Sequence, residues 1–74
     1  MTAKVNVKTQ QERGIKLRQI RVRKDLSQEQ VAKAAGYSIT YYAGIERGEE
    51  NPTITVLENI CKALKINIST IVHS

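Results

Sequence analysis

Two helix-start signals separated by a glycine constrain this chain more than any other feature, and both lie within residues 27–51. Ser27 followed by Gln30 is a capping-box pattern, in which two side chains satisfy free backbone N–H groups at a helix start. Ser38 supplies a second N-cap. Gly36 lies between them, and glycine readily adopts the left-handed conformation that ends a helix. The sequence therefore predicts two short helices joined by a tight turn.

Three further helices are predicted outside this stretch, each with its own start signal. Thr9 with Glu12 forms a capping box that opens the first helix, which should end near Asp25. Thr53 or Thr55 caps the fourth helix, and Asn67 caps a last turn over residues 68–72. Apolar side chains at helical spacing give the expected core. Its members are Leu17, Ile20, the stem of Lys24, Leu26, Val31, Ala32, Ala35, Tyr42, Ile45, Ile54, Leu57, Ile60, Cys61 and Leu64.

The fold class follows from these elements. Five helices with short links predict an all-α fold, a compact five-helix bundle in a single domain over residues 9–74. Residues 1–8 carry Lys4 and Lys8 and are expected to form a flexible, basic N-terminal arm. Alternating Val5 and Val7 would also suit a strand, but a lone strand has no partner.

Charge and composition narrow the function. The chain has 74 residues, a formal charge of +5 and a pI near 9.7, which favours a polyanionic partner, although solvated charged faces explain the same balance. A single Cys61 excludes an internal disulfide and reads as a buried small hydrophobe. One His73 and no paired carboxylates predict no enzyme, no metal and no cofactor. Apolar runs are short, so no signal peptide or membrane span is expected and a cytoplasmic location is predicted.

Several segments together resemble a known family. They are residues 17–21 (LRQIR), 26–32 (LSQEQVA), Gly36, Ser38, 45–48 (IERG) and 51–53 (NPT). In this order they resemble the lambdoid phage repressor and Cro helix-turn-helix group, also called the XRE family. The resemblance covers Gly14 to about Val72 and implies a lambda-repressor-like DNA-binding fold. The stand-alone regulators of this group include controllers of restriction–modification systems and small phage repressors, which are typically homodimers on operators with two half-sites.

The resemblance also assigns a DNA-binding surface. Its members are Gln28, Ser38, Ile39, Thr40, Tyr41, Ala43, Gly44, Arg47 and Asn51. The third helix is expected to expose Ile39, Thr40 and Ala43, together with Tyr41 and Gly44, to base edges in the major groove. Ile39 and Ala43 can offer only apolar contact to a thymine methyl group, and the alternative is that both simply pack.

The remaining DNA-facing residues concern the phosphate backbone. Gln28 at the start of helix two matches a phosphate clamp, and Arg47 and Asn51 match a second backbone contact. Ser38 is expected to cap its helix and to lie near a phosphate. Many relatives carry Arg, Gln or Lys at positions 39, 43 and 44, so specificity here is expected to depend on Thr40, Tyr41 and DNA shape.

Some charged residues leave alternatives open. Arg18 and Lys33 are phosphate candidates by charge alone, and a solvated face explains them equally well. The acidic residues Glu49 and Glu50 face away from DNA, lower the affinity, or pair with lysines of the same subunit.

Two structural roles complete the interpretation. Arg21 and Glu46 match a pair that bridges helices one and three in the family; the alternative is two exposed charges. The dimer interface is predicted at Ile66, Ile68, Ile71 and Val72, which are expected to be shared with the monomer core.

The predicted function is a sequence-specific, homodimeric transcriptional regulator that blocks or contacts RNA polymerase from an operator. The alternative is an antitoxin-like or other protein-interaction module whose DNA binding is secondary, because fold does not fix function. A third possibility is that the chain is the DNA-binding piece of a larger sensor. Met1 and a family-like C-terminal end favour a complete protein instead.

Overall fold

Helices account for all the regular structure in the computed structural model, which describes residues 7–72. The elements are α1 (Val7–Arg23), α2 (Gln28–Ala35), α3 (Ile39–Glu46), α4 (Ile54–Leu64) and a 3-10 turn (Ile68–Thr70). The predicted all-α class is therefore confirmed, but residues 7–72 form four α-helices and not five. The fifth predicted element is only a 3-10 turn, which Asn67 caps as expected by accepting from Ser69 N. After Asn67 the chain closes a hydrogen bond of the i→i+3 type, from Thr70 N to Asn67 O, and stops after a single turn.

The start of α1 also differs from the prediction. Val7 and Lys8 already belong to the helix, so Thr9 lies inside α1 and does not cap it. Residues 1–6 of the predicted N-terminal arm lie outside the described residues. At the other end α1 stops at Arg23, and Asp25 takes a left-handed backbone conformation with a φ of 62°, close to the predicted end.

The caps of α2, α3 and α4 follow the sequence signals. Ser27 Oγ accepts from Gln30 N at 3.0 Å, and Gln30 Oε1 accepts from Ser27 N at 2.7 Å, which completes the capping box. Gly36 ends α2 with a φ of 87°. Ser38 caps α3, and Thr53, the first of the two candidates, caps α4. The lengths of these helices are thus set locally.

The core lies between α2, α3 and α4, with α1 packed across α3. Its fully buried members are Leu17, Val31, Ala32, Tyr42, Ile45, Leu57, Ile60, Cys61, Leu64 and Ile71. Two predicted members are exposed instead. Lys24 follows the last residue of α1, so the helical spacing no longer applies to it. Ile54 is 51% exposed because it lies at the edge of the α4 stripe centred on Leu57 and Leu64.

Close approach of α1 to α3 depends on Gly14. A Cβ atom at this position would collide with the backbone carbonyl oxygens of Ile45 and Glu46. The absence of a side chain at Gly14 therefore allows α1 to pack closely against the C-terminal half of α3, while the N-terminal half of α3 extends beyond α1. Within residues 7–72, every helix is too short or too polar to span a membrane.

Candidate nucleic-acid interface

A buried ion pair fixes α3 to α1. Arg21 Nε lies 2.6 Å from Glu46 Oε2, and Arg21 Nη2 donates to Glu46 Oε1 at 3.1 Å, so the pair is bidentate. The exposed fractions of the two side chains are 11% and 2%. Arg21 Nη1 also donates to Leu26 O at 2.8 Å, and Gln28 Nε2 donates to Glu46 Oε1 at 3.0 Å. One carboxylate therefore joins α1, α2 and α3.

Hydrogen bonding keeps this carboxylate ionised. Burial alone would raise the pKa of Glu46, but the hydrogen bonds from Arg21, the nearby Tyr42 hydroxyl and the hydrogen bond from Gln28 outweigh burial and lower that pKa below its ordinary value. The hydrogen bond to Glu46 likewise raises the pKa of Arg21. Burial raises the pKa of the neighbouring Tyr42 hydroxyl, which forms no hydrogen bond of good geometry within residues 7–72.

The N-terminal half of α3 is the part that faces outward. Ile39 is 46% exposed and Thr40 is also exposed. Tyr41 is half-buried, with its ring centroid 5.6 Å from that of Tyr37 in an edge-on arrangement. The Tyr37 hydroxyl accepts from Asn59 Nδ2 of α4 at 2.9 Å. The aromatic pair thus ties this end of α3 to α4 and leaves Ile39 and Thr40 free for contact.

Two residues expected on this surface are covered. Ala43 is only 9% exposed because it packs into the domain, so the packing alternative is correct for it. Gly44 is buried because the side chain of Glu50 folds back over it. The prediction that these two positions are exposed is wrong.

Predicted phosphate contacts surround α3, and several already have partners in the domain. Gln28 donates one amide proton to Glu46 and retains a second N–H. Ser38 Oγ accepts from the backbone of Tyr41. Arg47 Nη2 lies 3.0 Å from Glu49 Oε1 in an exposed pair, so this acidic residue pairs with an arginine and not with a lysine. Asn51 is exposed.

The predicted dimer residues divide into two groups. Ile71 is 3% exposed and belongs to the core of the single chain. Ile66, Ile68 and Val72 are half-buried and pack against the edge of that core. These three retain apolar surface that a second subunit could cover.

The structural roles of two residues at this site were not predicted from the sequence. Gln10 Nε2 donates to Glu50 O at 3.0 Å and so holds the loop after α3. Gly14 sets the distance between α1 and α3. A glycine in the middle of a helical pattern signals such close packing, so Gly14 could have been found. Within the described part of the chain, no cluster of three or more His, Cys, Asp or Glu side chains could hold a metal ion.

Comparison with known proteins agrees with this geometry. The helix-turn-helix family model HTH_3 matches residues 17–71. The immunity repressor of Bacillus phage phi105 is 41% identical over 80% of this chain, which spans 41% of that repressor. A transcriptional regulator of Sinorhizobium fredii, y4dJ, is 35% identical over 73% of this chain and 70% of its own length.

Solved structures give the same answer. The restriction–modification controller protein C.AhdI from Aeromonas hydrophila has a TM-score of 0.83 and 32% identity, covering 85% of this chain and 96% of the controller. The controller C.Esp1396I bound to a 25-base-pair operator site has a TM-score of 0.75 and 34% identity over 80% of this chain and 78% of its own. The chain therefore belongs to the HTH_3 helix-turn-helix family.

Proposed function

We propose that the chain is a sequence-specific DNA-binding transcriptional regulator that acts as a homodimer on an operator with two half-sites. The observation that carries the proposal is the presentation of α3. Its C-terminal half is fixed by the buried Arg21–Glu46 pair, while Ile39 and Thr40 in its first turn are exposed. A rigid helix with a free N-terminal turn suits entry into the major groove.

Contacts to the phosphate backbone would orient that helix. The N-termini of α2 and α3 each carry free N–H groups and a favourable dipole for an anion. Gln28 begins α2 and keeps one amide N–H after binding Glu46, so it can donate to a phosphate. Arg47 and Asn51 are exposed beyond the other end of α3. The net charge of +5 adds attraction that should weaken with salt.

The first turn of α3 would discriminate only modestly between bases, with a preference for thymine. Ile39 can contact only the methyl group of thymine, whereas Thr40 can donate, accept or offer its own methyl group. Neither side chain can form the bidentate contact to guanine that arginine provides. The half-site should therefore contain a thymine opposite Ile39, with DNA shape contributing to the remaining selectivity.

Dimerisation would use the half-buried residues after α4. Ile66, Ile68 and Val72 expose apolar surface at one edge of the domain, whereas Ile71 supports them from within the core. A twofold arrangement through this edge would give two copies of α3 and hence two related half-sites.

Regulation would follow from occupancy of the operator. A bound dimer either blocks RNA polymerase or contacts it, and access to DNA implies a cytoplasmic location. The similarity to the phi105 immunity repressor and to the repressor RstR of cryptic phage CTXphi in Vibrio cholerae supports repression. The chain spans 41% and 51% of these two relatives.

The DNA-binding proposal is tested by selecting binding sites from random duplexes with the purified chain. An inverted repeat with half-site centres about one helical turn apart is the expected result. Thr40→Ala should weaken binding to the selected site by roughly 5- to 100-fold, because a base contact is lost. Gln19→Ala, which removes an exposed side chain on the outer face of α1, should bind like the wild type. Recovery of unpatterned DNA that is released by modest salt would overturn the proposal.

The dimer proposal is tested by sedimentation of Ile66→Glu. A charge buried in the interface should convert the dimer to a folded monomer. Ile15→Glu in α1, where Ile15 is 55% exposed, should remain dimeric. Equal sedimentation of both variants and the wild type as dimers would exclude this edge as the interface.

A further inference from the structure

One face of α3 has a gap in its middle. Thr40, Gly44 and Arg47 follow i, i+4, i+7 spacing and so lie on one side of the helix, opposite the buried Tyr42 and Ile45. Thr40 and Arg47 are exposed, but Gly44 supplies no side chain between them. If α3 enters the major groove, a side chain at this position would face the base edges.

The side chain of Glu50 occupies the gap. A Cβ atom placed on Gly44 would lie 2.8 Å from Glu50 Cγ and 3.5 Å from Glu50 Oε2. The Cγ methylene of Glu50 therefore lies where the side chain of residue 44 would begin, and the carboxylate lies beside it. Glu50 itself is exposed, so its carboxylate reaches the outer surface of α3 and is not enclosed by the domain.

The backbone of Glu50 is held from both sides. Its N–H donates to Gly44 O at 3.3 Å, and its carbonyl oxygen accepts from Gln10 Nε2 of α1 at 3.0 Å. The preceding Glu49 N–H also donates to Gly44 O at 2.9 Å. The loop that carries Glu50 is thus fixed on the end of α3, which gives the side chain the defined origin that base recognition requires.

The Glu50 carboxylate has no cationic partner within residues 7–72. The nearby Arg47 is engaged by Glu49 at 3.0 Å. Tyr41 lies close enough that, after burial, the charge of Glu50 contributes to raising the pKa of its hydroxyl. An acceptor held at the recognition surface without a counter-charge is available to an external hydrogen-bond donor.

We propose that Glu50 is a specificity-determining residue whose carboxylate contacts a base at the position on α3 where Gly44 has no side chain. A carboxylate only accepts hydrogen bonds, so its match in the major groove is an exocyclic amino group, and cytosine N4 is the best. Guanine and thymine present acceptors to the same place and would be repelled. The negative charge also lowers affinity for DNA in general, so it favours discrimination over strength. This inference rests on the proposed DNA-binding function.

Selection of binding sites with the full chain and with Glu50→Gln tests the inference. The wild type should select cytosine at one position of each half-site. Glutamine both donates and accepts, and its best match is adenine, so Glu50→Gln should shift the preference at that position from cytosine to adenine by roughly tenfold. Glu49→Gln removes the same charge from the neighbouring residue and should tighten binding to all sequences without changing the selected motif.

A second variant moves the carboxylate without removing its charge. The methyl group of Gly44→Ala would displace the Glu50 side chain, so the cytosine preference should disappear while the net charge is unchanged. A motif that stays the same in Glu50→Gln, with only a uniform gain in affinity like that of Glu49→Gln, would overturn the inference and leave the proposed function standing. If the wild type itself selects no motif, both fail together.

Discussion

Removal of Arg21 from the buried pair should destabilise the domain strongly. Arg21→Ala takes away both hydrogen bonds of the bidentate contact and leaves a Glu46 side chain that is 2% exposed with Gln28 as its remaining side-chain donor. Breaking a buried pair from one side costs about 3–5 kcal/mol, and the 11% exposure of Arg21 favours the lower end of that range. At about 4–8 °C per kcal/mol, a loss of about 3 kcal/mol lowers the Tm by roughly 12–24 °C.

Thermal unfolding followed by circular dichroism at neutral pH measures this loss. The matched control is Arg47→Ala, which breaks an ion pair whose side chains are 56% and 62% exposed. Solvent screens that pair, so the control should melt close to the wild type. Combining Arg21→Met with Glu46→Leu should recover much of the stability, because no unpaired charge remains in the core.

A Tm of Arg21→Ala within about 4 °C of the wild type, which corresponds to a loss below about 1 kcal/mol, would refute a stabilising role for the buried pair. Such a result would mean that Glu46 finds water or another donor without moving α3.

Three further predictions concern stability and reactivity. The pKa of Glu46 in the folded state is lowered from 4.5, so its ionised form stabilises the fold fully above pH 4.5 and this stabilisation is lost as the pH falls through the folded-state pKa. Glu46→Gln should therefore reduce the loss of stability at acid pH, and an unchanged loss would contradict this prediction. Leu57→Ala should cost about 2–5 kcal/mol in urea unfolding, whereas Ile54→Ala should cost little; equal losses would be inconsistent with the burial of Leu57. Cys61 is buried, which raises the pKa of its thiol, so a thiol reagent should modify it only as fast as the domain opens. Labelling of the folded domain as fast as of the chain unfolded in urea would contradict the burial of Cys61.

Local chemistry made most of the fold predictable. The caps at Ser27, Ser38 and Thr53 and the left-handed Gly36 each depend on residues within three or four positions, so their signals are complete in the sequence. The start of α1 was missed because Thr9 and Glu12 match a capping box even though the chain is already helical before them. A local pattern cannot show that an earlier residue has begun the helix.

The site was harder to predict because tertiary contacts decide which side chains remain free. The exposure of Gly44 depends on Glu50, six residues later, and the position of Glu50 depends on Gln10, which lies 40 residues earlier in the chain. Helical spacing places Gly44 on the outer face correctly but gives no information about a loop that folds over it. The partners of Gln28 were hidden for the same reason, since its amide binds Glu46 of another helix.

The most direct test of sequence-specific binding compares two dissociation constants at one salt concentration near physiological. One is for the selected operator, and the other is for a scrambled duplex of equal length. If α3 reads sequence through its exposed first turn, the wild type should bind the operator at least about 10³-fold more tightly than the scrambled duplex. Thr40→Ala should reduce that ratio without weakening binding to the scrambled duplex. A ratio near one for the wild type would show attraction by charge alone and would contradict the account.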